Sequence, residues 1–350
     1  MNLLSTSLAA VRHQQGLLLG TMRSFALNTR TEAGLIMLTS DVVQSNAIEG
    51  NTLDVDEVRS SLARRLGIDI GGLKPASRHV EGVVEIALDA ALHYKKTLSA
   101  KRLFSWHAAL FPTGYSNARK IAVAVWRGTQ TGPMQVVSGA MGHEKVHFEA
   151  PPAERVSQEM KAFLDWFNAH IDIDPILKAG IAHFWFITIH PFEDGNGRIA
   201  RTIADLALAR ADASAERFYS MSGQLEKERK EYYQILEKCQ KGTTNITAWL
   251  DWFLACLGRA FAAAEDILAS VLYKATVWQQ ANQHQLNERQ RLVLNKLFDN
   301  FNGKLTSGKY AKLAKCSSDT ALRDIRELLN YDILKQGAAG GRSTNYELAV

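Results

Sequence analysis

Cysteine is scarce: Cys239, Cys256 and Cys316 are the only three in 350 residues. Thiols so few and so scattered build neither a disulfide framework nor a cysteine-based metal site, and they suit a reducing cytoplasm. Long apolar runs are missing as well. No stretch reaches the roughly 18 residues that a membrane span needs, so no membrane partner is expected. The opening stretch, MNLLSTSLAAVRHQQGLLLG, lacks a basic segment ahead of an apolar one, and Arg12, His13, Gln14 and Gln15 interrupt it. It does not read as a secretory signal. Internal repeats and low-complexity tracts are also absent, which argues against a solenoid or a biased, unstructured tail.

What is present is the composition of a soluble globular protein, with 46% hydrophobic and 22% charged residues, in a chain long enough for two or three domains. The formal charge is +5, but eleven Lys/Arg against seven Asp/Glu fall between Ala281 and the end. The rest of the chain is nearly neutral. A basic C-terminal segment on a neutral body suggests a separate module that meets an anionic partner.

Most of the chain reads as amphipathic helix. Apolar spacing predicts helices over 33–48, from Asp54 to Gly67, over 78–95 and over 99–111. Further helices are expected over 153–168, 175–190, 196–211, 226–240 and 244–275. Between Ile121 and Pro152 the runs IAVAVW, MQVVSG and KVHFEA, broken by Gly-rich turns, read as strands or a hairpin. After Trp278, Asn287 can cap a helix reaching Phe298. Thr306 or Ser307 can cap a second, and Ser317 to Asp319 a third. Two strands around a Gly-rich tip would then close a winged-helix order.

The stretch richest in chemistry is His190–Arg201, HPFEDGNGRIAR. Asp194, Gly195, Asn196 and Gly197 form a tight turn whose glycines allow positive φ, so successive N–H groups can converge on one anion. A helix begins there, and helix N-termini favour phosphate. Arg198 and Arg201 stand three apart and share a helix face. Asp194 offers a hard oxygen suited to Mg2+, and His190 titrates near neutrality and can serve as a general base. Such a set describes phosphoryl or nucleotidyl transfer. His183, seven residues before His190, reads as a core histidine, and Trp249, Trp252 and Trp278 as core.

This run resembles the Fic family signature, His-Pro-Phe-x-Asp/Glu-Gly-Asn-Gly-Arg-x-x-Arg, at every specified position. SNAIEGN, MQVVSG, VHFEAPP, EYY and GGRSTNYEL extend the resemblance over most of the chain. The resemblance implies a mainly α fold: a Fic-type helical core with a β-hairpin flap and a small C-terminal winged-helix (α+β) domain. The divisions expected are 1–96 with an inhibitory helix, 97–278 as catalytic core and 285–350 as the winged-helix-like domain. It implies a protein adenylyltransferase in which His190 deprotonates a Ser, Thr or Tyr hydroxyl of a protein target, and the oxygen takes AMP from ATP. Asp194 would hold Mg2+, and Gly195, Asn196 and Gly197 would cradle phosphates. Arg198 would meet the β-phosphate, Arg201 the γ-phosphate and Phe192 would anchor the loop. Tyr232 and Tyr233 resemble the residues beside adenine.

Ser45-Asn-Ala-Ile-Glu49-Gly50 resembles the family's inhibitory motif, whose glutamate pairs with the second arginine, here Arg201. Ser45 and Glu49 share one helix face. The segment Met134–Ala150 resembles the flap, whose edge aligns an extended protein substrate by main-chain pairing. Self-modification and a homodimer are compatible with this reading. Three alternatives stay open: an enzyme that mainly removes AMP, transfer of another phosphate-linked group, and a nucleotide-sensing regulator that binds DNA. For the last, Arg323, Arg326 and Arg342 are the expected contacts.

Overall fold

The computed structural model describes residues 2–68, 74–116, 118–129, 132–138, 145–298, 301, 303–337 and 344–349. Its helices begin and stop where side chains dictate. Asp54 caps α3 (Val55–Leu66) by accepting the Glu57 N–H, and Gly67 ends it in the left-handed region. Glu57 does not close a capping box; its carboxylate accepts the Ser77 N–H at 3.0 Å, at the residue that caps α4 (Arg78–Leu92). Ser99 caps α5 (Ala100–Leu110) in the same way, and each such cap contributes about 1 kcal/mol.

Two helices precede these, α1 (Asn2–Arg23) and α2 (Leu27–Ile48). The polar residues that interrupt the opening stretch are what dock α1. Arg12 pairs with Asp174 at 2.9 Å, and Gln15 donates to Asp212 at 2.5 Å. The chain then runs through β1 (Tyr115–Ser116), β2 (Arg119–Lys120), β3 (Gln135–Ser138) and β4 (Lys145–Glu149). The helices α6 (Ala153–Asn168), α7 (Pro175–Ile189), α8 (Asn196–Asp212), α9 (Met221–Lys227), α10 (Arg229–Gln240) and α11 (Thr247–Ala281) follow. Last come α12 (Glu288–Phe298), α13 (Ser307–Ala314), α14 (Ser318–Asn330), β5 (Leu334–Gln336) and β6 (Tyr346–Leu348).

Among the described residues the strands pair in antiparallel twos: β1 with β2, β3 with β4, and β5 with β6. The run IAVAVW, expected as a strand, is not one. Ala124 adopts φ 59° and its N–H donates to the His107 ring, so side-chain anchoring replaces ladder pairing there. The helix expected over 226–240 is broken at Glu228 into α9 and α10.

The chain forms two compact units, residues 1–265 and 266–350. In the first, α7 and α8 pack at the centre, and α7 buries Ile176, Ala179, Ala182, Phe186 and Ile189. Each large apolar side chain so buried contributes about 1.5–3 kcal/mol. Trp249 is fully buried and donates to the Gly180 carbonyl at 2.8 Å. α4 approaches α5 closely at Gly82, where a Cβ would lie 1.9 Å from the Ala109 carbonyl oxygen.

The second unit has its own core of Val293, Leu294, Tyr310, Ile325, Leu328 and Ile333, among others. Thr306 caps α13 and Ser317 caps α14. Asn287 and Gln290 exchange backbone and side-chain bonds in a reciprocal box at the start of α12. Leu305 bridges to Tyr346 beside the β5–β6 hairpin. Among the described residues no helix is long and apolar enough to cross a membrane.

Candidate active site

Pro191 cannot continue α7, since it lacks an N–H and its ring clashes with the preceding turn. The helix stops at Ile189, and His190 turns into the left-handed region at φ 51°, ψ 57°. A bulky residue there costs about 1–3 kcal/mol and persists only when its surroundings hold it. Arg127 supplies that hold. Its Nε donates to the His190 carbonyl at 2.8 Å, its terminal nitrogen donates to the Ile189 and Pro151 carbonyls, and its backbone N–H donates to the Pro191 carbonyl.

His190 Nδ1 lies 3.2 Å from the Ile187 carbonyl, so that nitrogen carries the proton and Nε2 is left as the acceptor. Burial pushes the imidazole pKa below its usual value, the Ile187 carbonyl opposes this, and the Arg127 charge adds to it. His190 is therefore neutral at physiological pH, and it lines the cavity described below.

The loop is fastened from below. Phe192 is fully buried and stacks on His107 at 4.1 Å between ring centroids. Asn196 turns its side chain back on the loop, accepting the Phe192 N–H at 2.9 Å and donating to the Phe192 carbonyl at 2.8 Å. Only its backbone is left to meet an anion. Gly195 takes φ 78°, which a β-carbon would strain. The N–H groups of Asn196, Gly197 and Arg198 open α8 with no helical carbonyl ahead of them, at the end where the helix dipole favours negative charge.

Asp194 accepts the Gly195 N–H at 2.6 Å and the Ser116 hydroxyl. His107 donates from Nε2 to the Asp194 carbonyl at 3.2 Å and accepts the Ala124 N–H on Nδ1. Burial pulls its pKa down to about 4, against the Asp194 carbonyl, so it serves as a neutral bracket. Among the described residues no three His, Cys, Asp or Glu side chains gather as a metal cage. One carboxylate beside a hydroxyl instead suits Mg2+, which takes most of its remaining ligands from phosphate and water.

Arg198 and Arg201 are 5% and 2% exposed. Arg198 lies over the Phe111 ring at 5.0 Å. Arg198 Nε and one Arg201 terminal nitrogen are buried without a hydrogen-bond partner, a costly arrangement that an anionic ligand relieves. Burial opposes the charge on Arg201, yet Glu49, Tyr232 and Tyr233 more than offset it and raise its pKa.

The predicted inhibitory pair meets the second arginine directly. Arg201 donates to Glu49 Oε1 at 2.8 Å, to Ser45 Oγ at 2.9 Å and to the Ser45 carbonyl at 2.7 Å. Glu49 also lies across the first turn of α8: a Cβ at Gly197 would sit 2.1 Å from its Oε1.

The two tyrosines part company. Tyr232 is buried, its hydroxyl 2.9 Å from His183 Nε2, and it packs near Trp252. Burial lowers the His183 pKa to about 3, as befits a core histidine. Tyr233 is 39% exposed, with its hydroxyl 3.4 Å from the Ile48 carbonyl. Both line a cavity of about 790 Å³ that also takes in Glu49, His190, the Asp194–Arg198 turn and the β3–β4 hairpin. That volume is within the range of nucleotide-sized sites. His147 on β4 bonds Glu237 of α10 at 2.6 Å and fastens the hairpin to the cavity rim, while residues 139–144 of the expected flap lie outside the described residues.

Arg127, His107 and Ser116 are the site residues that the sequence did not single out. All three act from segments distant in the chain, and none stands in a recognisable spacing.

Residues 97–208 match the Fic/DOC family model, and residues 1–68 match a domain of unknown function, DUF4172. The chain is 31% identical over 172 residues to protein adenylyltransferase fic-1 of Caenorhabditis elegans, spanning 49% of this chain and 31% of that protein. It is 26% identical to protein adenylyltransferase Fic of Nematostella vectensis, over 63% of this chain and 47% of the relative. It thus spans less than half the length of these curated relatives. A Fic family protein from Desulfovibrio desulfuricans has a similar fold, with a TM-score of 0.58 at 19% identity, covering 98% of this chain and 95% of its own. A Fic-1 fragment from C. elegans aligns with a TM-score of 0.52 at 23% identity, over 78% of this chain and 74% of that one. The chain carries a Fic domain with the mainly helical fold that goes with it.

Proposed function

We propose that this Fic-domain chain is a protein adenylyltransferase held in check by Glu49. One observation carries the reading. His190, the open N–H end of α8 and Arg198 line a single cavity, and Glu49, which lines it as well, is bonded to Arg201.

ATP enters with its phosphates toward the first turn of α8, where three backbone N–H groups and two guanidinium groups neutralise the chain. A target Ser, Thr or Tyr hydroxyl gives its proton to His190 Nε2. Its oxygen attacks the α-phosphorus, the bond to the bridging oxygen breaks, and pyrophosphate leaves. Asp194, with Ser116 beside it, would hold Mg2+, which supplies charge neutralisation on the phosphates. Arg127 keeps the base aimed by bonding the carbonyls around it, and Phe192 keeps the loop from lifting. The β3–β4 edge offers main-chain groups for an extended target segment. The three thiols are unpaired and suit a reducing cytoplasm.

The test uses ATP labelled at the α- or the γ-phosphate, with the Glu49→Gly chain and a lysate as acceptor. α-Label should stay on protein through denaturation and γ-label should not, and Glu49→Gly/His190→Ala should bind ATP without labelling. Transfer of γ-label would make the chain a kinase and overturn the reading. Removal of AMP is a second activity that the same cavity supports, because Glu49 is a carboxylate poised beside the phosphate end and able to orient a water.

A further inference from the structure

The basic surplus of the C-terminal segment is unused by the catalytic site, and the second unit shows where it goes. Its order is helix α12, a bridged residue at Leu305, helices α13 and α14, then the β5–β6 hairpin. In that order α14 is the third helix, the position from which a winged helix reads duplex DNA.

The sequence leaves α14 ambiguous, because Asp324 and Glu327 alternate with Arg323 and Arg326. The structure separates the two charges. Asp324 is 2% exposed and faces inward, where it accepts from Arg289 at 2.9 Å, Asn287 at 3.0 Å and Tyr310 at 3.2 Å. Glu327 accepts from Gln290 at 2.8 Å. Two of the three acids of the helix are thus spent on its packing against α12 and α13, and the third, Asp319, is exposed in its first turn.

Arg323 and Arg326 are exposed on the other side, as are Lys312 and Lys315 around the turn that leads into α14. Among the described residues none of these four cations is in a salt bridge. Asp319 is the exposed acid nearest them in the chain. We propose that the outward face of α14, together with the end of α13, is a surface for duplex DNA, held mainly through its phosphates. A helix of 13 residues is about 20 Å long, and it presents two guanidinium forks one turn apart to a groove about 12 Å wide. An acidic protein would find the same charges, but the helix order and the guanidinium spacing favour the duplex. Arg342 lies outside the described residues and takes no part in the proposal.

The experiment follows anisotropy of a labelled mixed-sequence duplex with the full chain, from about 50 to about 200 mM NaCl. Wild type should bind in the micromolar range at low salt, with affinity falling steeply as salt rises. Each phosphate contact contributes about 0.9 to the log–log slope, so Arg323→Ala/Arg326→Ala should flatten it by about 2 and weaken binding about tenfold or more. Arg323→Lys/Arg326→Lys should keep the slope. Lys312→Gln/Lys315→Gln, on a separate helix, reports on the same surface should the first variant fail to fold. The proposal is overturned if folded wild type leaves the duplex free at low salt. It is equally overturned if the folded variants bind unchanged, or if poly-glutamate binds more tightly than the duplex. AMP transfer should be unaffected in all variants, which keeps this test separate from that of the catalytic reading.

Discussion

Replacing Glu49 by glycine should release the enzyme, and the size of the release follows from the bond it breaks. Arg201 Nη2 and Glu49 Oε1 are 2.8 Å apart, with side chains 2% and 31% exposed. A charge-assisted bond of this kind nets about 1.5–3 kcal/mol. A γ-phosphate seeking Arg201 must displace the carboxylate first, so the productive pose is depopulated by that amount. Converted at about 1.4 kcal/mol per decade, the release is roughly 10- to 150-fold. It should appear in kcat rather than in ATP affinity, because the α8 N–H end and Arg198 stay available to bind the nucleotide. Glu49 is the C-cap of α2 at φ −88°, ψ 7°, a conformation glycine adopts readily, so the fold should tolerate the change. Glu49→Gln should fall between, since a neutral amide keeps a bond of about 1 kcal/mol. The assay is incorporation of α-label per minute at saturating ATP. A Glu49→Gly chain that is folded, binds ATP and labels within twofold of wild type would refute the competition argument.

Arg127→Ala should lower kcat by tenfold or more in the Glu49→Gly background while ATP affinity holds, since it aims His190 without facing the nucleotide; Arg127→Lys should recover part of it. An unchanged kcat would remove Arg127 from the machinery. Gly197→Ala should destabilise the fold by about 1–3 kcal/mol through overpacking, and much less when Glu49 is glycine, because the clash is with that carboxylate. Urea denaturation of the four chains in the double-mutant cycle measures this coupling, and additivity would contradict the packing. Acid should unfold the first unit through its buried histidines. His107 and His183 have folded pKa values of about 4 and about 3 against about 6.5 when unfolded, so protons favour the unfolded chain. The stability they confer is present above about pH 6.5 and is lost as pH falls toward 4, at about 1.4 kcal/mol per pH unit for each. His107→Asn should remove about 1.4 kcal/mol per pH unit of that slope, and a slope unmoved by it would refute the assignment.

The helices were legible because caps are local. Ser99, Ser317, Asp54 and Thr306 cap helices at the positions where spacing placed them. The catalytic turn was legible for the same reason, as its groups lie within twelve consecutive residues. What could not be read is what reaches the loop from afar. Arg127 bonds carbonyls 62 to 64 residues later in the chain, and carbonyls leave no mark in a sequence. IAVAVW misled because β-branched residues favour strands only where a partner strand exists, and here Ala124 bonds a histidine ring instead. Tyr232 and Tyr233 could not be told apart without knowing which side of α10 is covered. Charge counting left α14 ambiguous for a similar reason, since burial, not composition, decides which of its charges a partner can reach.

Asp41 lies on α2 two turns before Glu49, and it accepts the Ser220 hydroxyl at 2.7 Å and the Ser222 N–H at 3.0 Å. With Ser45 and Glu49 it forms a row at spacing four, bolted at one end and latched at the other. The latch is the terminal turn of a helix whose middle is fixed. Helix ends fray at a small fraction of the cost of global opening, so unlatching needs neither a hinge nor the departure of the helix. If Glu49 restrains catalysis as proposed, freeing Arg201 needs only the bonds of the Ser45–Glu49 turn to break, while Asp41 stays bonded to Ser220 and Ser222.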